Sequence, residues 1–101
     1  MEIRYVIRVK RFIESLDDVF AYRVARSIDS LERYGNLLGM PVSRALGRGL
    51  FELRITGSKH IRIFYCFHRG HAYILHGIFK QQQSIPKRDI EYARKIMKEL
   101  Q

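Results

Sequence analysis

The sequence predicts an α+β fold in which helices pack on one face of a small, curved, mainly antiparallel sheet. Three consecutive runs of strand type, at residues 50–56, 61–67 and 72–80, are rich in β-branched and aromatic side chains and are separated by turn residues. A short alternating segment and two helical patterns precede these runs, and a third helical pattern follows them. The predicted order of elements is therefore β-α-α-β-β-β-α.

The first three elements occupy the N-terminal third of the chain. Alternation of Ile3, Tyr5 and Ile7 with their neighbours predicts a strand of about six residues, and apolar residues at helical spacing then predict a helix over about 9–16. Asp17 has the side chain of a helix N-cap, and Gly35 stands where a left-handed C-terminal cap is needed. We therefore expect a second helix over 18–34 that forms a helical hairpin with the first across the sheet.

Residues 35–49 read as an irregular but packed connector. Gly39, Pro41, Gly47 and Gly49 interrupt any long regular element, while apolar residues between them favour packing against the core. The last element is a helix that starts near Pro86 and continues to about residue 100. With no repeat or linker in 101 residues, we expect a single domain spanning 1–101.

The composition favours a polyanionic partner. Nineteen Lys and Arg residues against ten Asp and Glu give a net charge of +9, which attracts nucleic acid more strongly than most proteins of this size do. The single cysteine, Cys66, fits a reducing compartment, and no apolar run reaches the length of a membrane helix. We expect a cytoplasmic protein without membrane association; scattered, solvated charge with no specific partner is the alternative.

Strand parity brings basic residues together in the centre of the predicted sheet. Side chains alternate between faces, so Glu52 and Arg54 share the face opposite to Leu53. If residues 57–59 form a three-residue hairpin loop, Arg54 lies directly opposite Arg62 on the next strand. Because two opposed cations repel each other, this arrangement predicts an anionic ligand between them.

Four sequence motifs in a fixed order resemble a known family. They are Gly-Leu-Phe-Glu-Leu-Arg at 49–54, Arg-Ile-Phe-Tyr at 62–65, Leu-His-Gly-Ile-Phe-Lys at 75–80 and Ile-Pro-Lys-Arg-Asp-Ile-Glu-Tyr-Ala at 85–93. Together they resemble the phage-derived Gp49-like branch of the RelE/HigB toxin superfamily, found in type II toxin–antitoxin systems. The resemblance covers nearly the whole chain.

This resemblance implies a RelE-like fold and a toxin that inhibits translation by cleaving mRNA, commonly on the ribosome. It also implies a cognate antitoxin, often of the helix-turn-helix type, and chemistry that needs no metal or other cofactor, because the RNA 2′-hydroxyl is the nucleophile. The matching motifs offer Arg54, Arg62 and Lys80 as catalytic residues. Gln81 replaces a second basic residue that the family usually carries, and Ile85 replaces a common hydroxyl residue.

Three further side chains are candidates for proton transfer or for orienting the arginines. Glu52 is either a general base or, as we favour, a carboxylate that orients Arg54 or Arg62. His76 is either a proton shuttle or a hydrogen-bonded packing residue flanked by Ile74 and Ile78. Tyr92 is a weaker candidate for the tyrosine that some superfamily members use.

The remaining candidates concern RNA binding and metals. Phe64 either stacks on a base or is covered by the last helix or by the antitoxin, and Lys87 and Arg88 offer contacts to phosphates. His60, His68 and His71 lie at turns, and their spacing with Cys66 matches no zinc motif.

Two other functions remain as alternatives to a nuclease. One is a noncatalytic RNA-binding module, because a helix, three antiparallel strands and a basic final helix also describe a double-stranded RNA-binding domain. The other is a decayed toxin that acts as a protein-binding co-regulator, which the loss of a basic residue at Gln81 favours.

Overall fold

The computed structural model describes residues 1–100 and confirms an α+β architecture. The elements in chain order are β1 (Glu2–Tyr5), α1 (Ile7–Glu14), α2 (Asp18–Tyr34), β2 (Ser43–Gly47), β3 (Leu50–Ile55), β4 (Ile61–His68), β5 (His71–Phe79) and α3 (Lys87–Glu99). A single 3₁₀ turn, Gly35–Leu37, follows α2. The order β-α-α-β-β-β-β-α contains one strand more than the sequence predicted.

The five strands form one open mixed sheet in the order β1-β5-β4-β3-β2. β1 runs parallel to β5, and the other three pairings are antiparallel. This agrees with the expectation of a mainly antiparallel sheet. Its two edge strands are β1, at the N-terminus, and β2, which lies within the segment 35–49 that was predicted to be a connector.

The additional strand β2 corrects the prediction of an irregular connector over residues 35–49. Arg48 and Gly49 adopt positive φ angles of 49° and 83°, which is the backbone of a type I′ hairpin turn. This turn folds residues 43–47 back onto β3, with Ser43 opposite Leu53. In the core, a hydrogen bond between the hydroxyl groups of Ser43 and Tyr65 ties β2 to β4.

Helices cover both faces of the sheet rather than one, which is a second correction. α1 and α2 pack on the face that carries Leu53, Ile63 and Tyr65. α3 packs on the opposite face, where Ala93 lies against Phe64 and its neighbours. The central part of that second face is apolar, and the hydrophobic stripe of α3 packs on it and removes it from water.

The predicted limits of α2 are confirmed at both ends. The Asp17 carboxylate accepts a hydrogen bond of 2.9 Å from the Phe20 backbone amide, and Gly35 ends the helix with a φ of 55°. At the start of the chain the prediction was less accurate, since β1 ends at Tyr5 and α1 begins at Ile7. None of the helices within residues 1–100 is both long and apolar enough to cross a membrane.

A bulge in β5 changes which of its side chains share a face. Phe64 pairs with His76 and Tyr65 pairs with Ile74, so Leu75 has no partner of its own. Leu75 consequently lies on the α3 side with Phe64, whereas Ile74 belongs to the core beneath α1 and α2. The expectation that Ile74 flanks His76 on one face was therefore wrong.

Candidate active site

The predicted pairing of Arg54 with Arg62 is confirmed by the register of β3 and β4. Arg62 lies on the face that parity assigned to it, yet it is only 3% exposed because the chain around α3 covers this part of the sheet. Its guanidinium donates a hydrogen bond of 3.1 Å to the carbonyl oxygen of Ile61. The two arginines therefore meet at the floor of a covered cleft, not on an open surface.

Glu52 separates the positive charges at this floor. Its carboxylate accepts a 2.9 Å hydrogen bond from Arg44 Nε, and Arg62 Nε lies 3.8 Å from its other oxygen. Glu52 itself is 1% exposed. A buried carboxylate held between two guanidinium groups acts as their counterion, which explains how the sheet tolerates opposed cations.

Arg62 carries a positive charge in a buried position, and Glu52 offsets this only in part. Burial lowers the pKa of the Arg62 guanidinium, and the nearby charges of Arg54 and Arg44 lower it further, while Glu52 partly raises it again. Arginine keeps its proton under all ordinary conditions, so Arg62 is a buried cation with two cationic neighbours and one carboxylate beside it. A phosphate in the cleft would add a second negative charge to this group.

Two buried polar atoms at the floor lack a hydrogen-bond partner within the described residues. They are Arg54 Nε and Glu52 Oε2. Arg54 uses another guanidinium nitrogen for a 3.8 Å contact with Met40 Sδ, which is a weak acceptor. An unsatisfied buried donor costs roughly 1–3 kcal/mol, a cost that a movement of the Arg54 guanidinium toward an acceptor in the cleft would remove.

The cleft above this floor consists of two adjoining pockets of about 410 and 480 Å³. Both are lined by Arg54, Arg62, Lys80 and Gln83. Lys80 follows the last residue of β5, and its backbone amide donates a 2.7 Å hydrogen bond to the His60 carbonyl. All three catalytic candidates, Arg54, Arg62 and Lys80, are therefore brought together around one cavity.

Arg44 belongs to this site and was missed by sequence reasoning. It pairs with Glu52 across β2 and β3, lines the smaller of the two pockets, and keeps half of its side chain exposed. The signal that could have found it is the Gly-Arg-Gly sequence at 47–49, which permits a hairpin turn and places 43–47 beside β3. With Arg44, four cations and a single carboxylate line this pocket.

His76 lies outside the cleft, where it forms a hydrogen bond and packs against an aromatic ring. Its Nε2 is 2.9 Å from Asp89 Oδ1 at the start of α3, and its ring stacks on Phe64 at a centroid distance of 5.8 Å. The bulge at Leu75 turns this side chain beneath α3, and it lines neither of the two cleft pockets.

Tyr92 is also held away from the arginine pair. Its ring contacts His76 at a centroid distance of 4.7 Å, and its hydroxyl accepts a 3.3 Å hydrogen bond from Arg8. Tyr92 therefore joins α3 to α1, and it lines neither of the two cleft pockets.

The residues expected to bind RNA have different positions. Phe64 is fully buried under α3, so its assignment to base stacking was wrong and the alternative, a cover by the last helix, was correct. Lys87 and Arg88 lie exposed at the start of α3, where they make only long ion pairs of 3.9 Å with Glu91 and Asp89.

Cys66 and the histidines form no metal site in the described part of the chain. Within residues 1–100, no three His, Cys, Asp or Glu side chains are grouped to hold a metal ion. Cys66 is buried in the core below α3, and burial raises the pKa of its thiol to about 11. A thiol of this kind is a packing residue rather than a nucleophile.

Comparison with known proteins assigns the chain to a family. A search of curated proteins gave no match. The profile of the family described as "Phage derived protein Gp49-like (DUF891)" matches residues 11–98, a span that contains β2 to β5, all of α3 except its last residue, and every residue of the cleft. On this match, the chain belongs to the Gp49-like family of phage-derived proteins.

Proposed function

We propose that this protein is a toxin of the RelE/HigB type that cleaves mRNA without a metal ion. The observation that supports this most directly is the under-neutralised arginine pair at the floor of the cleft, with Arg54 Nε lacking a partner. A site with several fixed cations and one carboxylate suits a phosphodiester group. Membership of the Gp49-like family supports the same conclusion.

The proposed reaction uses the RNA's own nucleophile. The 2′-hydroxyl gives its proton to solvent water as its oxygen forms a bond to the adjacent phosphorus, and the bond from phosphorus to the 5′-oxygen breaks. The products are a 2′,3′-cyclic phosphate and a 5′-hydroxyl end, so the leaving oxygen must gain a proton. Arg54 and Arg62 bind the non-bridging oxygens, whose negative charge grows in the transition state.

Lys80 and Arg44 complete this proposal from the two sides of the arginine pair. Lys80 follows β5 at the pocket wall, where its ammonium contacts the phosphate and donates a proton to the 5′-oxygen. Arg44 approaches from the edge strand β2 with a half-exposed side chain, so it contacts the incoming RNA as well as Glu52. Glu52 orients the two arginines that it touches.

The biological setting is part of the same proposal. Cleavage of mRNA on the ribosome would inhibit translation and place the protein in the cytoplasm. A cognate antitoxin, of the helix-turn-helix type that HigB-like toxins often have, would hold it inactive. The net charge of +9 suits a ligand rich in phosphates, ribosomal RNA included.

Induced expression in a bacterial host with mapping of transcript 5′ ends tests this function. We expect the wild type to stop growth and to create new 5′ ends, and the Arg54→Ala/Arg62→Ala variant to do neither. Removing one preorganised charged donor from such a site typically costs roughly 10²–10³ in rate.

The matched control is the Arg11→Ala/Lys95→Ala variant. It removes the same number of positive charges from two exposed positions that line neither cleft pocket. It should retain growth inhibition and cleavage. Unchanged growth and transcripts with a folded, soluble wild type would overturn the proposal and favour a noncatalytic RNA-binding module or a decayed toxin.

A further inference from the structure

One exposed aromatic ring lies beside the cleft. Among the exposed large aromatic residues in positions 1–100, Tyr5, Tyr22 and Tyr34 lie on β1 and α2, while Phe79 ends β5 immediately before Lys80. Phe79 is 40% exposed. An aromatic side chain left partly in water next to a phosphate-binding residue is the arrangement that single-stranded RNA sites use to stack a base.

The cleft continues from the arginine pair to this ring. The pocket of about 480 Å³ and a third pocket of about 460 Å³ share His60, Lys80 and Gln81. The third pocket passes around the end of the sheet and is lined by Phe79 together with Lys59. Phe79 pairs with Ile61 and lies on the sheet face opposite to Arg62, so a chain that passes from the arginine pair to Phe79 turns around the end of the sheet at Lys80.

The ring of Phe79 is supported by a second aromatic ring and stays partly exposed. Phe12 packs edge to face against it at a centroid distance of 5.3 Å. Phe12 keeps this position because Gly77 has no side chain, since a Cβ there would lie 2.6 Å from Phe12 Cδ2. A ring held in this way loses little conformational freedom when a base stacks on it.

Lys59 lies over the same ring from the hairpin loop between β3 and β4. Its Nζ is 5.6 Å from the ring centroid of Phe79. An exposed lysine on a loop can swing aside at small cost, and a base that takes its place over the ring brings a phosphate within its reach. The two residues thus match the two parts of a nucleotide, base and phosphate.

We propose that Phe79 and Lys59 form a nucleotide-binding subsite for single-stranded RNA, which stacks a base of the nucleotide that neighbours the scissile phosphate. This inference rests on the proposed nuclease function and adds to it a position for the flanking nucleotide. Stacking accepts every base, so the subsite increases affinity and fixes the direction of the strand more than it selects a sequence.

A fluorescence titration tests the subsite directly. The chain contains no tryptophan, so Phe79→Trp introduces a single probe at the proposed stacking position. The ligand is a short single-stranded RNA whose 2′-positions are methylated, because it cannot be cleaved. The control is Tyr22→Trp, which places the single tryptophan on an exposed residue of α2.

We expect the RNA to quench the fluorescence of Phe79→Trp and to leave that of Tyr22→Trp unchanged. Phe79→Ala and Phe79→Leu should both weaken binding by about 5- to 150-fold, the cost of losing one stacked base. Phe79→Leu retains an apolar contact with Phe12, so it separates loss of stacking from loss of folding, which a thermal melt checks for both variants.

Equal quenching at both probes, or wild-type affinity in Phe79→Leu, would overturn the subsite. The nuclease proposal would survive that result if Arg54→Ala/Arg62→Ala still abolished cleavage. If the wild type neither binds nor cleaves RNA, the nuclease proposal fails, and the subsite fails with it.

Discussion

Glu52 is the only carboxylate that lines the two cleft pockets in residues 1–100, so its role decides what kind of chemistry the site performs. It is almost completely buried, bonds to Arg44 and lies against Arg62. Its two oxygens face the Nε atoms of these two guanidinium groups, at 2.9 and 3.8 Å. The geometry therefore favours an orienting role over proton abstraction.

Replacing Glu52 with glutamine separates these two roles. We expect Glu52→Gln to lower cleavage by less than about 10²-fold per folded molecule, whereas loss of a general base costs roughly 10²–10⁴-fold. The shape of the pH–rate profile should stay the same. The free energy of unfolding should fall by up to about 3–5 kcal/mol, because Arg62 keeps its buried charge without a counterion.

The control for this experiment is Glu91→Gln, which changes an exposed carboxylate on α3 that pairs with Lys87 at 3.9 Å. It should leave cleavage and stability unchanged. Disappearance of the acidic limb of the pH–rate profile in Glu52→Gln alone would show that Glu52 is the base.

At the level of single residues, strand parity predicted the sheet face on which a side chain lies but not whether that side chain is buried. Arg54, Arg62 and Phe64 lie on the face that alternation assigns to them. Parity could not show that α3 covers this face, because nothing in a helical stripe identifies the sheet face on which it packs. Phe64 is buried for this reason, and the exposed ring that could bind a base is Phe79 instead.

At the level of elements, β2 matters most for the site because it carries Arg44. The strand is short and lies at the sheet edge, and its residues alternate only weakly between apolar and polar. The glycine and proline residues at 39, 41, 47 and 49 therefore outweighed this weak alternation, and the segment was predicted to be irregular. By contrast, α2 was predicted with its caps, since Asp17 and Gly35 make local interactions that sequence alone determines.

Substitution of Arg44 tests the contribution of β2. We expect Arg44→Ala to lower cleavage by about 10²-fold, the lower end of the cost of losing one charged donor, because the side chain is half exposed. Stability should fall by about 1–3 kcal/mol, since Glu52 Oε1 loses its hydrogen bond. Assays of cleavage and chemical denaturation measure the two effects.

Arg44→Lys is the conservative variant for this experiment, and Lys95→Ala is its control. Arg44→Lys keeps the charge without the planar guanidinium, so it should restore part of the stability and little of the cleavage. Lys95→Ala removes an exposed charge on α3 outside the two cleft pockets and should behave as the wild type. Wild-type cleavage by Arg44→Ala would show that β2 has only a structural role.

At the level of the whole molecule, the question is whether RNA binds through the cleft or through the overall charge. The net charge of +9 attracts any polyanion, and it is carried by both helices and strands. The cleft concentrates Arg44, Arg54, Arg62 and Lys80 around one carboxylate. Composition alone predicts binding through the overall charge, whereas binding in the cleft requires the folded sheet that brings these residues together.

The salt dependence of RNA binding distinguishes these two modes. Each phosphate contact on single-stranded nucleic acid contributes about −0.7 to the slope of log affinity against log salt concentration, so four cleft cations predict a slope near −2.8. Loss of two of them in Arg54→Ala/Arg62→Ala should reduce its magnitude to about 1.4. The methylated RNA is the ligand, titrated at several salt concentrations.

Arg11→Ala/Lys95→Ala carries the same net charge as the cleft variant, so it should keep the wild-type slope if RNA binds in the cleft. If both double variants reduce the slope equally, RNA is held by the basic surface as a whole, because only diffuse attraction is indifferent to which two charges are removed.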